Sequence, residues 1–97
     1  DRLIPTIAQE KSTNEILMMA YSNKNSIEMT VKTKKAHFWS RSKKKLWLKG
    51  ETSVNKLNII NIYTDCDSDA LIYEVELEGI GACHTGKKSC FYKKLEL

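Results

Sequence analysis

A small, mainly β domain with one short helix is what this sequence predicts, and three observations carry the prediction. The chain has 97 residues, enough for one hydrophobic core and too few for a second domain. Its apolar segments run about four to eight residues and are rich in Ile, Val, Tyr and Trp, the length and make-up of strands. Only one stretch, following Asn23, repeats apolar residues at helical spacing. Hydrophobic residues make up 41% and charged residues 29%, so the chain can bury a core and lacks the charge excess of a disordered segment. No apolar run approaches the roughly 18 residues of a membrane span. The pattern of a secretory signal, a basic start followed by an apolar stretch and a small-residue cleavage site, is absent too.

The elements follow in order. Leu3 to Gln9, with Pro5 near its start, reads as an edge strand, where a missing N–H is harmless. Lys11-Ser12-Thr13-Asn14 is a polar turn in which Asn14 can take the left-handed conformation. Glu15 to Tyr21 is an apolar run of strand length. Ser22 and Asn23 offer caps for a helix over about Asn25 to Thr33, in which Ile27 and Val31 share a face. Ala36 to Arg41 and Leu46 to Lys49 flank a lysine-rich turn and form a hairpin. Leu57 to Thr64 and Leu71 to Leu77 are the strongest strands, separated by Asp65 to Asp69. Gly79 to Ser89 is a loop that carries Cys83 and His84 and leads into Cys90.

Sixteen basic against twelve acidic residues give a net charge of +4, which suits an anionic partner such as nucleic acid or a phosphorylated metabolite. The lysines fall in short clusters, Lys34-Lys35, Lys43-Lys44-Lys45, Lys87-Lys88 and Lys93-Lys94, and solvated turn lysines are the competing reading. Three cysteines cannot close a disulfide framework within one chain. Without a secretory signal the expected compartment is the reducing cytoplasm, where clustered thiols more often bind metal or do chemistry.

Asp65, Asp67 and Asp69 alternate with Cys66 and Ser68. Three neighbouring carboxylates repel one another, and water, lysines or a hard cation must offset them. The opening resembles a calcium loop, with Glu76 even at the twelfth place. Ala70, however, stands where that loop needs glycine, and Leu71 to Leu77 alternates at period two, so an EF-hand is excluded. On an extended chain the same-face aspartates would be about 6–7 Å apart, too far for all three to hold one magnesium directly. The chain must bend at Asp67-Ser68-Asp69, or water must complete the shell. Wherever the backbone is extended, Cys66 points away from its aspartate neighbours, so one stretch can serve a hard site and a soft one.

Cys83 and Cys90 are separated by six residues within a glycine-bearing loop, wider than a zinc knuckle. They read either as buried small side chains or as ligands. If Cys66, Cys83 and Cys90 share a zinc, three protein ligands leave one tetrahedral position for water, the arrangement of catalytic zinc. Zinc lowers the pKa of such a water toward about 7, and His84, beside a ligand, is placed to move protons or merely to anchor the loop. His37, inside Ala36-His37-Phe38-Trp39, reads as a packed strand residue. Trp39-Ser40-Arg41-Ser42 and Leu46-Trp47-Leu48-Lys49-Gly50-Glu51-Thr52-Ser53 combine hydroxyls, cations and indoles, a kit for a nucleotide or a hairpin with core tryptophans.

Five blocks in register resemble the phosphoribosyl-AMP cyclohydrolase family of histidine biosynthesis. They are Leu3 to Gln9 with Leu17 to Tyr21, Trp39 to Ser42, Leu46-Trp47 with Lys49 to Ser53, Asp65 to Leu71, and Ala82 to Gly86 with Ser89-Cys90-Phe91. The resemblance implies zinc on Cys66, Cys83 and Cys90, magnesium on Asp65, Asp67 and Asp69, and a homodimer that shares the zinc ligands between subunits. It implies hydrolytic opening of the adenine ring of 1-(5-phosphoribosyl)-AMP at N1–C6, with His84 shuttling protons. Trp39, Ser40, Arg41, Lys49, Glu51, Thr52 and Ser53 would then meet the substrate. Two positions depart from the family pattern: Val54 stands where glycine is usual after Glu-Thr-Ser, and Asn14 replaces a common turn glycine. The rival reading is a non-enzymatic zinc module that binds nucleic acid through its lysines. It leaves the aspartates unexplained, because acids beside a phosphate-binding surface repel it. A redox-sensing thiol protein is the third reading.

Overall fold

The computed structural model describes residues 2–97. Its elements are β1 (Ile4–Glu10), β2 (Ile16–Ser22), α1 (Lys24–Thr33), β3 (His37–Ser40), β4 (Lys45–Leu48), β5 (Lys56–Thr64) and β6 (Leu71–Glu78). The predicted class holds, mainly β with a single short helix. Period-two alternation builds the main sheet. In β6, Tyr73 and Val75 are fully buried while Ile72, Glu76 and Glu78 face outward, and in β1 Thr6 and Ala8 are buried. Four strands pair in the order β2-β1-β6-β5, with β1 parallel to β6 and the other pairings antiparallel. The β3–β4 hairpin forms a separate ribbon with Phe38 opposite Trp47 and Ser40 opposite Lys45. Leu17, Phe38, Leu57, Tyr73 and Val75 are the large core side chains, and the Phe38 ring lies 5.2 Å from Trp47 and 5.6 Å from Tyr73.

Two expectations are corrected. β1 is an interior strand, flanked by β2 and β6. Pro5 is tolerated there because it is the second residue of the strand, one position before the β6 ladder begins at Thr6. The helix does not bury Ile27 and Val31 as its core face: Val31 is 50% exposed, and the buried residues are Ser26 and Thr30. Hydroxyl chemistry explains the difference. Asn23 caps the helix and Ser26 bonds back to it in a capping box, with both distances 2.9 Å. Thr30 Oγ1 accepts from the His37 backbone N–H at 2.9 Å and from the Tyr73 hydroxyl at 3.4 Å. Tyr73 in turn contacts Ser22, and Ser22 contacts Thr6 at 2.7 Å. This buried run of hydroxyls stitches β1, β2 and β6 to the helix, and no buried side-chain polar atom among the described residues lacks a partner.

Asn14 has φ 63, the left-handed conformation expected of it, and Lys34 ends the helix the same way with φ 60. After that turn Lys34 and Ala36 pair with β5 (Ile59 N–H to Lys34 C=O, 2.8 Å; Ala36 N–H to Leu57 C=O, 3.0 Å). The hairpin is thereby fixed relative to the main sheet.

Candidate active site

The loop after β6 folds back on itself. Ala82 N–H reaches Lys88 C=O at 2.8 Å and Cys83 N–H reaches Lys87 C=O at 3.2 Å. Only glycine fits at position 81, because a Cβ there would lie 2.5 Å from the Lys87 carbonyl oxygen. The segment that follows docks along β2: Cys90 N–H donates to Leu17 C=O at 2.7 Å, and the Ser89 hydroxyl donates to Ile16 C=O at 2.6 Å. Lys88 adds an ion pair to Glu10 at 2.7 Å and another to Glu15 at 3.2 Å. These ties bring Cys83 and Cys90 together. The Thr85 hydroxyl, 3.0 Å from the Cys83 sulfur, holds that thiol below its ordinary pKa, helped by the Thr85 backbone. Loss of solvent pushes Cys90 up, and the neighbouring Cys83 adds to that. The Lys49 charge draws both thiols down.

Beside the thiols opens a cavity of about 770 Å³, within the range of small-ligand sites. Its walls divide into three parts. The loop contributes Cys83, His84 and Gly86; the 50–55 turn contributes Glu51, Thr52, Ser53 and Asn55; the hairpin contributes Ser40, Lys43, Lys45, Trp47 and Lys49. Alternation along β4 puts Lys45 and Trp47 on one side, and Ser40 joins them from the opposite strand. Trp39 falls on the other side of β3, and neither it nor Arg41, the first residue of the turn, lines the cavity. Trp39 pairs with Leu46, and the Arg41 guanidinium stacks 4.1 Å over the Tyr21 ring.

The β5–β6 turn carries the acidic cluster. Asp65 Oδ1 accepts the backbone N–H of Asp69 at 2.8 Å and of Ala70 at 3.1 Å, and Ser68 turns left-handed with φ 61. The bend anticipated at Asp67-Ser68-Asp69 is therefore present, and it gathers ligand atoms of Asp65, Asp67 and Asp69 within 4.8 Å of one another. A hydrogen bond from Asp69, followed by the two backbone N–H groups, holds Asp65 at about 2, and Asp69 is pushed up by the same contact. Hydrogen bonding with Asp65 and then Asp67 raises Asp69 most, the Asp65 charge adds to it, and a divalent cation would offset the crowded carboxylates. Among the described residues this is the only such group of three, so within one chain Cys66, exposed on the same turn, does not join Cys83 and Cys90. Because residues 66–69 are a turn, the alternation that opposes Cys66 to its neighbours does not apply.

Residues 18–92 match the family described as phosphoribosyl-AMP cyclohydrolase. The chain belongs to that family. It is 57% identical over 94 residues to the phosphoribosyl-AMP cyclohydrolase of Archaeoglobus fulgidus, covering 97% of this chain and 86% of that protein. The protein of the same name from Prosthecochloris aestuarii is 53% identical, with 95% of this chain and 66% of the relative covered. The histidine biosynthesis bifunctional protein HisIE of Aquifex aeolicus is 50% identical, and the match covers 97% of this chain and 46% of that longer protein. Membership in this enzyme family replaces the nucleic-acid and redox readings.

Of the residues expected to serve a cyclohydrolase, Ser40, Lys49, Glu51, Thr52, Ser53, Cys83 and His84 meet at the one cavity. Asp65, Asp67 and Asp69 cluster on their turn, and Trp39 and Arg41 do not line the cavity. His37 is a packed strand residue, 6% exposed, with Nδ1 2.9 Å from the Lys35 carbonyl oxygen. The wall side chains left out of the expected substrate set are Lys43, Lys45, Trp47 and Asn55. Period two along β4 would have found Lys45, since it puts Lys45, Trp47 and Lys49 on a common face.

Proposed function

We propose that this chain hydrolyses 1-(5-phosphoribosyl)-AMP in the cytoplasm, opening the adenine ring between N1 and C6. Water adds to C6, the N1–C6 bond breaks, and the products of that cleavage are a carboxamide at C6 and a formimino group at N1. The observation that carries the reading is the meeting of Cys83, His84 and Lys49 at one cavity in a member of this family.

The donor set suits two metals. Cys83 and Cys90, with Cys66 of a second copy, would hold zinc, and the lowered pKa of Cys83 favours the thiolate a metal needs. Asp65, Asp67 and Asp69 would hold magnesium, which takes oxygen ligands. Zinc bound by three thiolates would supply the Lewis acidity that makes water nucleophilic near neutral pH. His84 lies next to Cys83 on the cavity wall, where its imidazole can pass a proton to N1 as that nitrogen departs. Trp47 offers a ring face to the base, while Ser40, Glu51, Thr52 and Ser53 offer hydrogen bonds to the riboses.

A second copy is supported by the outer face of the main sheet. Pro5, Ile7, Met19, Tyr63 and Ile72 line an apolar groove of about 450 Å³ that adjoins Asp65 and Ala70 at the turn carrying Cys66. Covering this groove with an identical face would bury apolar surface and bring the Cys66 turn to the partner.

The test is ring opening followed by absorbance in zinc- and magnesium-supplied protein, together with metal analysis of Cys90→Ala. The wild-type chain turns over substrate, and the variant loses its zinc and its activity while keeping a folded core. Full activity in a zinc-free Cys90→Ala protein would exclude the thiol site.

A further inference from the structure

Resting on the activity proposed above, we propose that Lys43 and Lys45, at the tip of the hairpin, form the subsite for one of the substrate's two phosphates. Of the three consecutive lysines, only these two line the cavity. The backbone dictates the selection. The Ser40 hydroxyl accepts the Lys43 N–H at 3.1 Å, and Lys44 turns left-handed with φ 52, which returns Lys45 opposite Ser40. Lys44, in the same charge cluster, is not part of the wall.

Both ammonium groups are available. Neither Lys43 nor Lys45 is in an ion pair among the described residues, whereas Lys88 is committed to Glu10 and Glu15. Among the described residues Glu51 is the only acid on a wall that carries three lysines. Arg41, the cation that the sequence would favour for phosphate, is occupied on the other face by the Tyr21 ring. Position along the strand completes the case. Lys49 is close enough to the thiols to act on both. Lys45 lies four residues earlier, roughly 13 Å away at the rise of an extended chain. A base held near the thiols therefore points a phosphate toward the hairpin tip. There lysines attract it as mobile point charges and release it after turnover.

The experiment compares wild type, Lys43→Gln/Lys45→Gln, Lys44→Gln and Arg41→Gln, all metal-loaded. All four positions are exposed, and circular dichroism checks the fold. The Kd for 1-(5-phosphoribosyl)-AMP is read from tryptophan quenching before turnover, and kcat and KM from ring opening, at two salt concentrations. The double variant should raise Kd and KM by about tenfold or more, the loss expected for charge-assisted bonds. Its kcat should stay within about threefold, and its binding should depend less on salt. Lys44→Gln should change Kd by less than about twofold, because its charge is off the wall. An unchanged Kd in the double variant overturns the subsite and leaves the activity standing. A large loss in Arg41→Gln with none in the lysine pair returns the phosphate to Arg41 and overturns it as well. Lysine-dependent binding without any ring opening would sink the activity and keep the subsite. A wild-type chain that does not bind this substrate overturns both.

Discussion

His84 and His37 show how position separates two residues of one kind. His37, the first residue of β3, is packed against the helix end with its ring on a backbone carbonyl, and is committed to structure. His84 is exposed on the cavity wall next to a cysteine. His84→Ala should therefore lower kcat by about 100-fold or more, the usual worth of a positioned proton donor. KM should move by no more than about threefold, and Cys83 and Cys90 should retain zinc. Steady-state kinetics with metal analysis checks this, and an unaltered kcat would assign His84 to the loop alone. Local residue chemistry of this kind was legible in the sequence, because adjacency to Cys83 is visible there. The facing of Trp39 and Arg41 was legible only in part. Alternation opposes each to its strand neighbour, but which side is the cavity depends on where the 50–55 turn and the cysteine loop pack.

At the scale of elements, the strands could be read to within one or two residues because turns flank every apolar run. The helix was found and its buried face was not. Hydrophobic spacing pointed to Ile27 and Val31, while Thr30 is buried against the His37 backbone N–H from β3 and the Tyr73 hydroxyl from β6. No local pattern reveals such a partner. β1 was likewise misplaced at the edge because Pro5 signals a missing N–H without saying where the neighbouring ladder starts. The cysteine loop gives this scale its prediction. Gly81→Ala forces a methyl group against the Lys87 carbonyl oxygen and the Lys88 Cα, which must separate Cys83 from Cys90. We expect destabilisation of about 1–3 kcal/mol and loss of stoichiometric zinc, read by thermal unfolding and metal analysis. Normal zinc content at an unchanged Tm would show that the loop tolerates a wider opening.

At the scale of the whole molecule, the chain carries Cys83 on its cavity wall with Cys90 beside it, and the third thiol of the proposed trio on the β5–β6 turn, outside that pair. Sharing between copies makes a sharp prediction. Cys66→Ala and Cys90→Ala should each be inactive alone. When the two are unfolded together and refolded, half of the dimers should be mixed and each mixed dimer should contain one complete site, for about a quarter of wild-type activity. Turnover that stays at zero in the mixture would mean that each site draws all its ligands from a single chain. The family was legible in sequence because motifs carry it. The proposed assembly comes from resemblance alone at the level of sequence, since the apolar sheet face that would support it is spread over β1, β2, β5 and β6 and forms no contiguous run.

The strip from Lys88 to Phe91 has a consequence beyond chemistry. β2 is the outermost strand of its sheet, and this strip occupies the carbonyls of Ile16 and Leu17. Anything that detaches it, whether proteolytic nicking in the loop, charge reversal at Lys88 or metal starvation, bares those groups as a template for another polypeptide. If the thiols hold zinc as proposed, a cell short of that metal would face clumping of this protein as well as its idleness.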